Sequence, residues 1–267
     1  MTSSVRGRGL FGGRTATVTF RRVEGPIRLA GLALEAFAVV PSLRTTTIEQ
    51  PERGRRIGTV EHLLAALGGL GIHSGLSVDV EGDEFPFLDG GAAQWCAAID
   101  ELGARPSPPR LLIAREGEVH VGASRYRFVP PGALHTVAPS LGVTLDFDHP
   151  RLVARAEWFG DAHDFAVRIA PARTFVFAHD IAKLADLGMM AHADPESVVV
   201  IDERGVHSAG VAASPDEPVR HKLLDLVGDL FLHGGPPEGR IETFRPGHAA
   251  THEAVRRARE MGIVLDR

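Results

Sequence analysis

The 267 residues carry 34 acidic and 29 basic side chains, a net charge of −5, with 44% hydrophobic residues. That is enough chain for one large domain or two of about 100–150 residues each, and it offers no basic block for nucleic acid. The single cysteine, Cys96, excludes disulfides and cysteine-rich structural zinc sites. No apolar run makes a signal peptide of MTSSVRGRGLFGG or a membrane span, so a soluble, cytoplasmic protein without membrane insertion is expected.

In chain order, residues 15–20 and 76–80 alternate apolar and polar side chains as half-buried strands do. Between them Thr59 is placed to cap a helix over about 60–67, with Gly68-Gly69 as its stop. A second helix is expected over 92–102, with Trp95, Ile99 and Leu102 on its apolar face. Three prolines in the polar stretch 103–110 cannot continue a helix and read as a linker, dividing the chain into domains 1–104 and 105–267. Beyond it, strands are expected at 111–113, 119–121, 126–129, 143–147 and 198–201. Helices are expected at 175–187, 218–232 and 250–261; Pro218 suits a first turn and Gly234-Gly235-Pro236-Pro237 an end. Strands and helices do not alternate regularly, which predicts α+β rather than a doubly wound sheet.

Three distant stretches carry metal-hydrolase chemistry: Glu61-His62 in TVEHLLAAL, His221 to Asp225 in RHKLLD, and Gly247-His248 in RPGHA. On a helix His221 and Asp225 share a face. Their imidazole and carboxylate suit zinc, and His62 would complete three protein ligands with the fourth tetrahedral position left for water. Lys222 is one of only two lysines, with Lys183, in a chain that otherwise uses arginine, and it adjoins a candidate ligand. Most other histidines, such as His73, His120, His163 and His252, have no motif around them and read as solvated or hydrogen-bonded surface.

TVEHLLAALGGLGIHSGL, EFPFLDGGAAQ, LDFDHP, ARTFVFAHDI, VRHKLLDLVGDLFL and RPGHA, in that order, resemble the zinc-dependent UDP-3-O-acyl-N-acetylglucosamine deacetylases of lipid A synthesis. The resemblance implies two α+β domains, each a sheet layered with helices, facing each other across a cleft. It assigns zinc to His62, His221 and Asp225, the general base to Glu61 and the general acid to His248. It gives Thr174 and Lys222 to the oxyanion, Asp229 to the carboxylate beside the acid, and Phe175, Lys222 and Gly247 to substrate binding. It also implies an acylated UDP-amino sugar as the small-molecule partner, and a monomer is expected.

The chain departs from the family pattern around that centre. Phe11 stands in GLFGG where the family has a histidine, residues 25–50 lack the usual polar pattern, 191–196 replace a Gly-Gly-Ser stretch, and Pro246 replaces a serine. The acyl route is expected to differ accordingly. A paralogue acting on another N-acetylated amino sugar, or a non-catalytic binding protein of the same fold, are the competing readings. The joint presence of Glu61, Lys222 and His248 argues against the last.

Overall fold

The computed structural model describes residues 2–133, 139–147, 149–189 and 191–267. The long strand Thr15–Pro26 lies between Thr2–Arg8 and Ser74–Glu81 in a five-stranded sheet completed by the short strands Arg28–Leu29 and Leu32–Ala33. The alternation of Thr15–Phe20 puts Val18 and Phe20 into the core, opposite Val80 and Val78. Trp95, on the helix Ala93–Asp100, meets Phe20 edge-on at 6.1 Å and Phe85 at 6.0 Å. A small three-stranded sheet, Ala38–Val40, Thr47–Gln50 and Arg55–Ile57, arises from a region where no strands were expected.

Residues 104–109 have no regular structure, and every sheet draws its strands from one side of that stretch. The second five-stranded sheet runs Gly117–Val121, Ser124–Val129, Gly239–Phe244, Pro139–Thr144, Arg155–Trp158, with the third and fourth strands parallel. The helices Glu217–Phe231 and His248–Glu260 pack with it, and Tyr126 meets Thr251 of the last helix through their hydroxyls at 3.0 Å. A four-stranded sheet of Phe175–Phe177, Val199–Asp202, Gly205–Ser208 and Val211–Ala212 completes this α+β half.

The two halves meet helix to helix. A Cβ on Gly228 would stand 2.1 Å from the Glu61 carbonyl oxygen, and one on Gly68 would stand 3.0 Å from Val227 Cγ1. Only hydrogen fits, so the helices Glu61–Gly69 and Glu217–Phe231 come close to backbone contact. The helix ends at Gly69, as the glycine pair led one to expect, and the same pair also serves close approach, Gly68 to Val227 and Gly69 to the Phe165 ring.

Other boundaries moved for identifiable reasons. Thr59 does not cap; it has φ +56° and gives its hydroxyl to Glu84 Oε1 at 3.2 Å, while Val60 precedes the helix with no side-chain cap. The helix expected at 175–187 begins as the strand Phe175–Phe177, because Phe-Val-Phe pairs in parallel with Val199–Ile201; a 3-10 turn at Ala178–Asp180 then leads into the short α-helix Ile181–Asp186. The strand expected at 143–147 ends at Thr144, and the last helix begins two residues earlier than expected, at His248. No helix among the described residues is long and apolar enough to cross a membrane.

Candidate active site

Glu61, His62, Thr174, Phe175, His221, Lys222, Asp225 and His248 line one cavity of about 310 Å³, walled by residues from both halves of the chain. His62 sits in the first turn of its helix, and His221 and Asp225 sit one turn apart on the facing helix. Backbone approach at Gly228 brings the two sets together. His62 Nε2 lies 3.9 Å and His221 Nε2 3.4 Å from Asp225 Oδ1. All three side chains are buried, and a set of their donor atoms falls within 4.8 Å.

Electrostatics leave these groups able to bind a cation. Burial lowers the pKa of both histidines, that of His62 to about 3, so both rings are neutral and keep a lone pair. His221 Nδ1 donates to the Ala172 carbonyl at 3.0 Å, which turns Nε2 toward Asp225 as the free donor atom. Burial alone would raise Asp225, but the charges of Lys222 and His248 outweigh it and hold the carboxylate well below its usual range. Lys222 Nζ donates to Asp225 Oδ2 at 2.7 Å, whereas buried Oδ1 has no hydrogen-bond partner. An ionised buried oxygen without a partner costs several kcal/mol unless a cation faces it. Two neutral imidazoles converging on such an oxygen fit a metal ion.

Glu61 and His248 flank this cluster. The threonine pair before the strand Thr47–Gln50 grips the Glu61 carboxylate: Thr45 Oγ1 donates to Oε1 at 2.7 Å and the Thr46 N–H to Oε2 at 3.0 Å. Burial nevertheless dominates and pushes Glu61 up to about 7. His248 Nδ1 donates to both Asp229 oxygens at 3.0 Å. Burial would lower the His248 pKa, yet Asp229 and Asp225 overcome it and push it up to about 9. Both groups are thus raised together, which leaves Glu61 able to accept a proton and His248 able to give one near neutral pH.

The remaining expected residues are placed as follows. Arg173 clasps buried Glu217, the first residue of the ligand helix, through Nε to Oε1 at 2.7 Å and Nη2 to Oε2 at 3.1 Å, and the Thr174 N–H donates to Gly90 O at 2.8 Å. Thr174 is thereby tied to the turn at Gly90 and, through its neighbour Arg173, to the helix Glu217–Phe231. Phe175 stands edge-on to His221 at 6.3 Å with Lys222 Nζ 5.9 Å from its ring centre. Gly247 caps the last helix beside open space and is not among the residues lining the cavity.

Sequence reasoning missed the Thr45-Thr46 grip, the Arg173–Glu217 clasp, and Glu84, which accepts from the N–H groups of Phe11 and Gly12 at 2.9 Å. Each joins residues far apart in the chain; only the polar triplet Thr45–Thr47 offered a signal. Two histidines read as surface are otherwise engaged. His73 stacks on Phe231 at 5.3 Å, and His252, largely buried, lies 3.4 Å from Asp229 Oδ1. Phe11 joins a second apolar cluster with Phe87, Leu184 and Ala193, which connects two of the departures seen in the sequence.

An α+β fold that brings two neutral imidazoles, a buried carboxylate, Glu61 and His248 to one cleft has the composition of a metal-dependent hydrolase site. The profile of the family described as LpxC, UDP-3-O-acyl N-acetylglycosamine deacetylase, matches residues 2–259. The chain is 35% identical to the UDP-3-O-acyl-N-acetylglucosamine deacetylase of Myxococcus xanthus, over 96% of this chain and 83% of that protein. It is 34% identical to that of Synechocystis (92% and 91% covered) and 31% to that of Anaeromyxobacter dehalogenans (95% and 84%). The chain belongs to this deacetylase family.

Proposed function

We propose that the chain hydrolyses the N-acetyl group of a UDP-3-O-acyl-N-acetylglucosamine in lipid A biosynthesis, releasing acetate and the UDP-3-O-acyl-glucosamine. The observation that carries this reading is the convergence of the buried donor set His62, His221, Asp225 with Glu61 and His248 on one cavity. We further propose that the domains divide at 104/105, and that the protein works as a cytoplasmic monomer.

Two imidazoles and one carboxylate suit zinc, which in such a site polarises the carbonyl and acidifies a water. Glu61 takes the proton of the attacking water on a carboxylate oxygen, for which a pKa of about 7 is well matched. The Lys222 ammonium and Thr174 hydroxyl donate to the oxygen that gains charge as the carbon becomes tetrahedral. His248 Nε2 then gives its proton to the amide nitrogen as the C–N bond breaks, with Asp229 on Nδ1 orienting the ring. Phe175, beside Lys222 and His221, packs against the sugar, and Gly247 leaves room at the acid's flank.

The test is acetate release from the UDP-sugar with and without its 3-O-acyl chain. Release from the acylated sugar supports the reading; release only from another N-acetylated amino sugar supports the second reading, a paralogue with the same chemistry. What favours that alternative is Phe11, packed with Ala193 beside the cleft where the family has a polar residue. A protein that only binds would have no use for Glu61, a carboxylate buried against its own ionisation.

A further inference from the structure

Behind Asp229, outside the cavity of the proposed reaction, two histidines and an arginine continue the hydrogen bonding. Asp229 and His233 stand four residues apart at the end of the ligand helix. His248, His252 and Arg259 share one face of the last helix at spacings of four and seven. Arg259 Nη1 lies 3.1 Å from His233 Nδ1, and His233 Nε2 lies 2.9 Å from His252 Nδ1. His252 Nε2 is 3.4 Å from both Asp229 Oδ1 and Thr46 Oγ1. Thr46 Oγ1 gives its own hydrogen to Asp229 Oδ1 at 2.7 Å.

We infer that Arg259, through His233 and His252, forms a one-way hydrogen-bond chain that orients the Asp229 carboxylate, making these three residues positioning residues for the reaction proposed above. The direction follows from donor inventory alone. A guanidinium only donates, so His233 Nδ1 must accept. A neutral imidazole carries one N–H, which puts the His233 hydrogen on Nε2, aimed at His252 Nδ1. His252 Nδ1 therefore accepts as well, and its hydrogen sits on Nε2, facing Asp229. An imidazolium at His252 is excluded by the same geometry, because its Nδ1–H would meet the His233 N–H. Burial, with the Arg259 guanidinium nearby, lowers His233 to about 3, in keeping with a neutral ring. Arg259 is itself anchored, through Nη2 to the His233 carbonyl at 2.9 Å and to Asp266 Oδ1 at 2.8 Å.

The consequence is local. With donors from Thr46 and His252 on one side and from His248 on the other, the Asp229 carboxylate has a single favourable plane, and so has the His248 ring hydrogen-bonded to it. If the His252 tautomer reversed, a lone pair would face the carboxylate and the arrangement would loosen.

Nitrogen-15 NMR of histidine-labelled protein reads the tautomers directly. In the parent, His233 and His252 should both carry hydrogen on Nε2. Arg259→Met should give mixed tautomers at His252 and lower kcat about tenfold, the scale of one hydrogen bond, with KM and metal content unchanged. Arg259→Lys, which keeps a donor, should recover most of both. An Nδ1–H tautomer at His252 in the parent overturns the inference without any variant being made. So does Arg259→Met with parental spectra and kcat. Absence of acetate release by the parent would instead overturn the proposed function and leave the tautomer result standing.

Discussion

The centre of the cleft and its rim are built by different means. At the centre, His62, His221, Asp225, Asp229 and His248 all stand on helices, and the two helices that carry the donor set touch through glycine. Around it, Leu10 and Phe11, the Thr45-Thr46 pair, and Phe175 to Asp180 stand on turns, short strands and loops, held by scattered bonds such as those from Glu84. Helices fix direction to within a side-chain rotamer, which transition-state chemistry needs. Loops leave the substrate-facing lining free to change. Two of the departures from the family pattern, Phe11 and 191–196, stand in such loops, whereas Pro246 adjoins the helix that carries His248.

Damage at the centre should therefore abolish chemistry, and damage at the rim should redirect it. The largest effect is expected from the double substitution of His62 and Asp225 by Ala. Purified protein should then lose its bound metal and its activity together; full metal occupancy would break the assignment of the donor set. Glu61→Ala should keep the metal and lose about 10²–10⁴-fold in kcat, the usual contribution of a positioned base. Activity within a few fold of the parent would reduce Glu61 to a helix-start carboxylate.

His248→Ala should lose a similar factor and also change the shape of the pH profile. In the parent, rising pH removes the His248 proton as it passes about 9, and activity falls because the leaving nitrogen then has no acid. The variant should lack this alkaline limb. An unchanged limb would assign it to some other group.

Gly228→Ala tests the helix contact itself. Its methyl would meet the Glu61 carbonyl at 2.1 Å, so the helices must part. Overpacking of this kind costs about 1–3 kcal/mol, read as a lower Tm, and the displaced Glu61 should lower kcat more than KM. Parental Tm and kcat would show that the contact is not tight.

The smallest effect belongs to the rim. Phe11→His should move the preferred acyl length rather than stop hydrolysis, because an apolar lining discriminates by filled volume at about 0.8 kcal/mol per methylene. The measurement is kcat/KM along a series of 3-O-acyl substrates for parent and variant. Profiles that coincide would remove Phe11 from the acyl route.

By itself the sequence determined which residues could meet. The i,i+4 spacing of His221, Asp225 and Asp229 placed three side chains on one helix face, and the EHLL, HKLLD and GHA words singled out residues that the fold brings to one cavity. Pro218 and the glycine–proline end also marked the ligand helix almost to the residue, since both act through local backbone constraints. Only the tertiary structure decided what surrounds them. Gly68-Gly69 reads locally as a helix stop and does end the helix, but that Val227 and Phe165 come close there is a tertiary fact; Phe175–Phe177 reads as helix and becomes strand because Val199–Ile201 lies beside it. Thr46, Glu84 and His252 gained their roles from partners 183, 73 and 23 positions away, at Asp229, Phe11 and Asp229. Periodicity and caps act over one or two turns of chain, whereas desolvation and long-range hydrogen bonds exist only once the halves have closed on each other.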